Sequence, residues 1–103
     1  GTKVGIITSR MGSMEDNTSG GHYGYRASKA AVNAIGRSLA VDLKDRGIAV
    51  QLLHPGYVAT EMVGGRGEVQ PEQAAAQLVE RLDELDLATT GSFRHANGSA
   101  LPW

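Results

Sequence analysis

A chain of 103 residues with a net charge of −1, 41% hydrophobic residues and no cysteine has room for one domain and excludes several classes at once. Balanced charge leaves no electrostatic footprint for nucleic acid, and no apolar run reaches the ~20 residues of a membrane span. Without cysteine there is no disulfide framework, no thiolate nucleophile and no cysteine-built metal site, and no basic-then-apolar leader opens the chain. These features fit a cytoplasmic protein.

The first element is Lys3-Val4-Gly5-Ile6-Ile7-Thr8, a short β-branched run that predicts a buried strand. Residues 9–24 are polar and hold Gly12, Gly20, Gly21 and Gly24, which predicts a long loop. Residues 23–46 then take helical spacing. Val32, Ile35, Leu39 and Leu43 make one apolar stripe, and Ala27, Ala31, Ala34 and Ser38 make a second stripe of small side chains. Lys44 and Arg46 suit the negative end of that helix, and Gly47 suits its stop. Ile48-Ala49-Val50-Gln51-Leu52-Leu53 predicts a second strand, buried on both faces as in a parallel sheet. A loop over residues 57–70 follows His54-Pro55-Gly56, and Pro71 and Glu72 open a second helix whose apolar face is Ala75, Leu78, Val79, Leu82 and Leu85. A third strand near Ser92 to His95 and an Asn97-Gly98 turn precede the ending Leu101-Pro102-Trp103. This strand-helix-strand-helix-strand order predicts an α/β fold: one domain over residues 1–103, a partial Rossmann-like three-layer unit with a short parallel sheet.

Tyr25 and Lys29 are four residues apart at the start of the first helix, so they share a face and can meet. A cation held near a phenol favours the phenolate, which is what proton exchange near neutral pH needs. Taken alone, the spacing describes many solvated surface pairs. Its position changes that. Ser9 follows the first strand, Pro55-Gly56-Tyr57-Val58-Ala59-Thr60 follows the second, and ligands bind beyond the carboxyl ends of parallel strands.

Three stretches in this order resemble the second half of a short-chain dehydrogenase/reductase. Ile7-Thr8-Ser9-Arg10-Met11-Gly12-Ser13 resembles the family's strand-end serine motif, Tyr25-x-x-x-Lys29 with Ala30-Ala31-Val32-Asn33 its active-site helix, and His54-Pro55-Gly56-Tyr57-Val58-Ala59-Thr60-Glu61-Met62 its proline-glycine loop. The 17–21 insertion and the Leu101-Pro102-Trp103 ending are similar to the carbonyl-reductase branch related to C-factor and sniffer proteins. The resemblance implies NAD(P)-dependent interconversion of carbonyl and alcohol. Tyr25 would exchange the proton, Lys29 would support it and bind the nicotinamide ribose, Ser9 would hold the substrate oxygen, and Pro55, Gly56, Val58 and Thr60 would line the nicotinamide. Ser9 fits the Ser-x-x-Gly pattern with Gly12, while Ser13 lies nearer Tyr25 in sequence, so both serines stay open, with Ser9 favoured. Either one could instead cap the loop backbone.

The departure from the family pattern is the phosphate-binding glycine motif, which should follow a first strand and open a helix. Gly20-Gly21 and Gly64-Gly65-Arg66-Gly67 read as loop glycines. The residues that choose NAD or NADP are absent as well, so the N-terminal dinucleotide-binding half is expected to be missing and dinucleotide affinity to fall sharply. An open flank of the first strand and uncovered helix faces then predict a homo-oligomer through the helix over residues 25–46 or the strand edge. Two other readings stand beside the reductase. One is a cofactor-independent hydrolase acting on a small ester through Ser9 with Tyr25 and Lys29. The other is a non-catalytic oligomerising fragment. His22, His54 and His95 lie far apart and predict no metal site. Met11, Met14 and Met62 are pocket or core filling, Asp83, Glu84 and Asp86 a solvated helix end, and Trp103 a cap on the core or an interface.

Overall fold

The computed structural model describes residues 1–56 and 70–103. Five elements follow one another: β1 (Lys3–Ile7), α1 (Tyr23–Leu43), β2 (Ala49–His54), α2 (Pro71–Glu84) and β3 (Ser92–His95). The strands form one parallel sheet in the order β1-β2-β3, with Ile6 beside Leu52 and Leu52 beside Phe93. The expected α/β unit with a short parallel sheet is therefore present. Tyr57, Val58, Ala59, Thr60, Glu61 and Met62 and the Gly64-Gly65-Arg66-Gly67 run lie outside the described residues.

The element ends follow from local chemistry. α1 passes into a 3-10 turn over Lys44–Arg46, and Gly47 closes it at φ 72°, a left-handed position that favours glycine. α2 starts on Pro71, whose missing N–H costs nothing there, and Glu72 sits in its first turn. Lys3 on β1 donates from Nζ to the carbonyls of Leu82 and Asp83, each at 3.0 Å, and so places a cation at the negative end of α2.

Paired residues of a parallel ladder share a face. Ile6, Leu52 and Phe93 thus form one face, and Leu101 joins Leu52 and Phe93 in the buried core. α1 crosses this face where it has no side chain: a Cβ on Gly36 would stand 2.7 Å from Leu52 Cδ2. Gly5 and Gln51 belong to the opposite face, and there Gly5 admits Leu82 of α2. The helices therefore cover opposite faces of the sheet.

Four expectations need correction. β1 is not a buried strand: its residues alternate between exposed and half-buried, and Ile7 is 51% exposed. The cause is its place at the sheet edge, with β2 as its one strand neighbour among the described residues. The outer edge of β3 is covered by its own chain, because His95 N–H donates to Ser99 and Leu101 N–H to Phe93. On α1, the buried positions are Asn33, Gly36 and Ala40, while Ile35 is 67% exposed. Close approach at Gly36 turns the contact stripe away from Ile35. On α2, Ala74 and Arg81 are buried, as is Leu85 just past its end, whereas Ala75 and Val79 are exposed. Glu84 is also more than a solvated end: it pairs with Arg81 at 3.0 Å and with Arg94 at 3.1 Å, joining α2 to β3.

Two glycines of α1 should respond in opposite directions to alanine. Gly36→Ala forces a methyl against the fully buried Leu52 and should cost about 1–3 kcal/mol. Gly24→Ala, whose Cβ would meet nothing within 4 Å, should stabilise by up to about 1 kcal/mol through helix propensity. Urea unfolding of both variants reads the contrast.

Candidate functional site

The carboxyl edge of the sheet collects the polar groups. Thr8 extends the β1 ladder by one bond, its N–H donating to Leu53 at 2.9 Å. Its hydroxyl donates to Oδ1 of Asn33 on α1 at 2.7 Å, a buried bond that ties the strand end to the helix. Ser9 then turns the chain: its Oγ accepts from Met11 N–H at 3.1 Å and caps the 3-10 turn over Arg10–Gly12. That turn presses onto α1, because a Cβ on Gly12 would lie 2.7 Å from the backbone carbon of Lys29 and 2.9 Å from Asn33 Nδ2. The serine loop and the Lys29 turn of α1 are held together by the absence of one methyl group.

Ser13 is likewise a capping residue, its buried Oγ accepting from Asp16 N–H at 3.0 Å. Both serines therefore hold loop backbone, and Ser9 lies directly at the strand end. The loop is fastened from outside by Met14 N–H, which donates to the Trp103 carbonyl at 2.7 Å, and by an exposed Arg10–Asp16 ion pair at 3.3 Å. The Met14 side chain is exposed, so it does not fill the core, and the Trp103 ring packs against Phe93 with ring centroids 5.2 Å apart.

Tyr25 and Lys29 do meet. The Lys29 ammonium lies 5.6 Å from the centroid of the Tyr25 ring, over its face rather than at its hydroxyl. Tyr25 is 48% exposed. Among the described residues, neither the Tyr25 hydroxyl nor the Lys29 ammonium takes part in a hydrogen bond. Pro55 and Gly56 leave β2 at the same edge, Gly56 with φ 84°. Val58 and Thr60 lie outside the described residues.

The histidines are not all far apart. His54 and His95 end β2 and β3, are paired in register, and meet edge to face with centroids 5.1 Å apart. Burial, aided by His95 and Arg10 and opposed by Asp16, lowers His54 from 6.5 to about 4. Parallel register brings together residues 41 positions apart in sequence, which residue spacing alone does not reveal. The described residues hold no cluster of three or more potential metal ligands, and no helix among them is long and apolar enough to cross a membrane.

Sequence reasoning also missed Asn33 as a tie and Arg81 as a buried cation. Arg81 donates to the Ala96 carbonyl at 3.0 Å. The available signal was its spacing with Leu78 and Leu85, which puts 81 on the inner face of α2.

A parallel sheet clad by a helix on each face, with a serine turn pinned to a tyrosine-lysine helix at its carboxyl edge, defines a Rossmann-type α/β architecture. The model of the short chain dehydrogenase family matches residues 3–71, and the chain belongs to that family. The 1-hydroxy-2-glutathionyl-2-methyl-3-butene dehydrogenase of Rhodococcus sp. (strain AD45) is 50% identical over 107 aligned positions, covering 100% of this chain and 47% of that protein. The C-signal protein of Myxococcus xanthus is 40% identical, covering 98% of this chain and 61% of that one. Among solved structures, the carbonyl reductase Sniffer of D. melanogaster superposes with a TM-score of 0.88 at 39% identity, over 96% of this chain and 41% of that chain. An NADPH-bound carbonyl reductase from chicken fatty liver gives 0.87 at 29% identity, over 98% and 42%. The chain thus spans roughly half the length of these relatives.

His54 makes stability depend on pH. Its folded form resists protonation, whereas the unfolded chain takes up the proton below 6.5. Its contribution is therefore fully present above pH 6.5 and is lost as pH falls toward 4, by roughly 3 kcal/mol in total. Thermal unfolding between pH 7 and pH 4 should show this decline, and His54→Gln should flatten it.

Proposed function

We propose that this chain carries the proton-transfer half of an NAD(P)-dependent carbonyl reductase. The observation that carries the reading is the Tyr25–Lys29 pair, its ammonium 5.6 Å from the ring centroid and neither polar group hydrogen-bonded among the described residues, at the carboxyl edge beside the pinned serine loop. The donor set fits the nicotinamide-ribose end of a dinucleotide: an ammonium can hold ribose hydroxyls, and a phenol can reach a carbonyl oxygen. Lys29, Tyr25, Pro55 and Gly56 would hold that end, and the family pattern would add Val58 and Thr60. NADPH and NADP in the chicken and Burkholderia multivorans relatives favour NADP over NAD. When bound, the cofactor supplies the hydride.

The chain supplies the rest. Ser9 Oγ holds the substrate oxygen, and Tyr25 donates its proton to that oxygen as the carbonyl carbon is reduced. Lys29 stabilises the phenolate left behind, and the reverse direction returns the proton to Tyr25. The hydrolase reading has less support, because Ser9 Oγ accepts from Met11 N–H and no hydrogen bond joins it to Tyr25 or Lys29 among the described residues. The Rhodococcus relative's name makes a hydroxy-glutathionyl-alkene the first alcohol to try, alongside simple aldehydes and ketones.

Self-association belongs to the same proposal. Ala27, Ala31, Ala34 and Ser38 are exposed on α1, next to Ile35 and to Val41, which is 64% exposed, and a second copy of this chain suits so small and smooth a surface.

Tyr25→Phe should lower the rate of NADPH oxidation with a carbonyl substrate by on the order of 100-fold or more; an unchanged rate overturns the reading. Sedimentation equilibrium at micromolar concentration should show a species heavier than 10.8 kDa, reduced to that mass by Ala31→Arg. A wild-type monomer counts against self-association.

A further inference from the structure

The entry to α1 is strained and lacks the usual helix start. Gly20, Gly21 and His22 take left-handed φ values of 70°, 70° and 53° in succession. His22 stands at the N-cap without a capping side-chain bond, and no acidic residue lies in the first turn. A non-glycine residue in this region costs energy and persists only where its surroundings hold it. Glycine is needed at 20 and 21 for conformation alone, since a Cβ at either would meet nothing within 4 Å.

Arg26 is what holds the turn. Its Nε donates to the Gly21 carbonyl at 3.0 Å, and one terminal nitrogen donates to Ser19 Oγ at 3.1 Å, with a longer contact to the Gly20 carbonyl at 3.4 Å. Gly20 N–H in turn donates to Asn17 Oδ1 at 3.0 Å. Among the described residues, no other side chain of α1 reaches back into this turn. A cation in the first turn of a helix sits at the wrong end of its dipole, so the planar fork is placed there against that field, where it engages three acceptors at once.

We propose that Arg26 is a positioning residue: it clamps the left-handed 20–22 turn and thereby fixes the first turn of α1, which sets the Tyr25 ring under the Lys29 ammonium. The role in catalysis rests on the reductase reading above; the clamp itself does not. An arginine fork locks the turn against rotation, and a displacement of about 1 Å at a reacting group can lower a rate on the order of 100-fold.

The test compares Arg26→Ala and Arg26→Lys with wild type by NMR of the full 103-residue chain. A lysine over a ring face has ε-methylene protons shifted upfield by the ring current. Arg26→Ala should move the Lys29 ε-methylene signal back toward its free position and speed amide exchange across residues 20–25, while the Leu52 and Leu53 methyl signals stay in place. Arg26→Lys, which cannot bridge Ser19 and Gly21 together, should rescue little. An unchanged Lys29 shift with unchanged exchange in Arg26→Ala overturns the proposal, as does full rescue by lysine. Kinetics adds a separate arm: Arg26→Ala should lower kcat at least 10-fold with KM for cofactor within about 2-fold. If Tyr25→Phe leaves turnover unchanged, the reductase reading fails and the NMR result still decides the clamp.

Discussion

The structure depends most on the contact between Gly12 and the backbone of α1 at Lys29. A serine turn at the end of an edge strand has little to hold it, since β1 is half-exposed and, among the described residues, paired on one side. Contact at van der Waals range with the helix supplies that hold, and the buried Thr8–Asn33 bond locks the same junction one residue upstream. Such a bond contributes about 1 kcal/mol net, yet its geometric effect is larger: strand end, turn and helix become one body. Ser9 and Lys29 thus keep their relation through backbone packing rather than through contact between their side chains.

Charge completes the arrangement at a distance from that junction. Arg81, buried on the inner face of α2, reaches the Ala96 carbonyl, and Ala96 N–H in turn donates to the His54 carbonyl at 2.8 Å. Glu84 and Arg94 extend the chain of partners to the Gly98 carbonyl. The turn after β3 is therefore anchored from the opposite face of the sheet, directly after the histidine that meets His54. Buried ion pairs are weak evidence of stability in themselves; here the pairing accounts for how an arginine can occupy an apolar helix face.

Local chemistry explains what was legible beforehand. β-Branched runs, the 3.6-residue period, Gly47 and Pro71 are short-range signals, and each element formed within a few residues of where these placed it. Family resemblance through Ser9, Tyr25 and Lys29 was legible for the same reason, because the motifs are contiguous. What escaped was set by packing between elements. Gly36 on Leu52 rotated the buried stripe of α1 away from Ile35, sheet register joined His54 to His95, and tertiary partners turned Arg81 inward. Ser9 and Ser13 remained alike to the end, since each hydroxyl accepts a backbone N–H in its own loop.

The two margins of the sheet are unequal. β3 folds its own C-terminal return over its outer edge, whereas β1 leaves its outer edge without a strand partner among the described residues. Among the described residues, then, the sheet has a single open margin. Two copies meeting there edge to edge about a twofold axis would cover both open edges at once, and such a pairing would close on itself instead of repeating as a sheet with two open margins could.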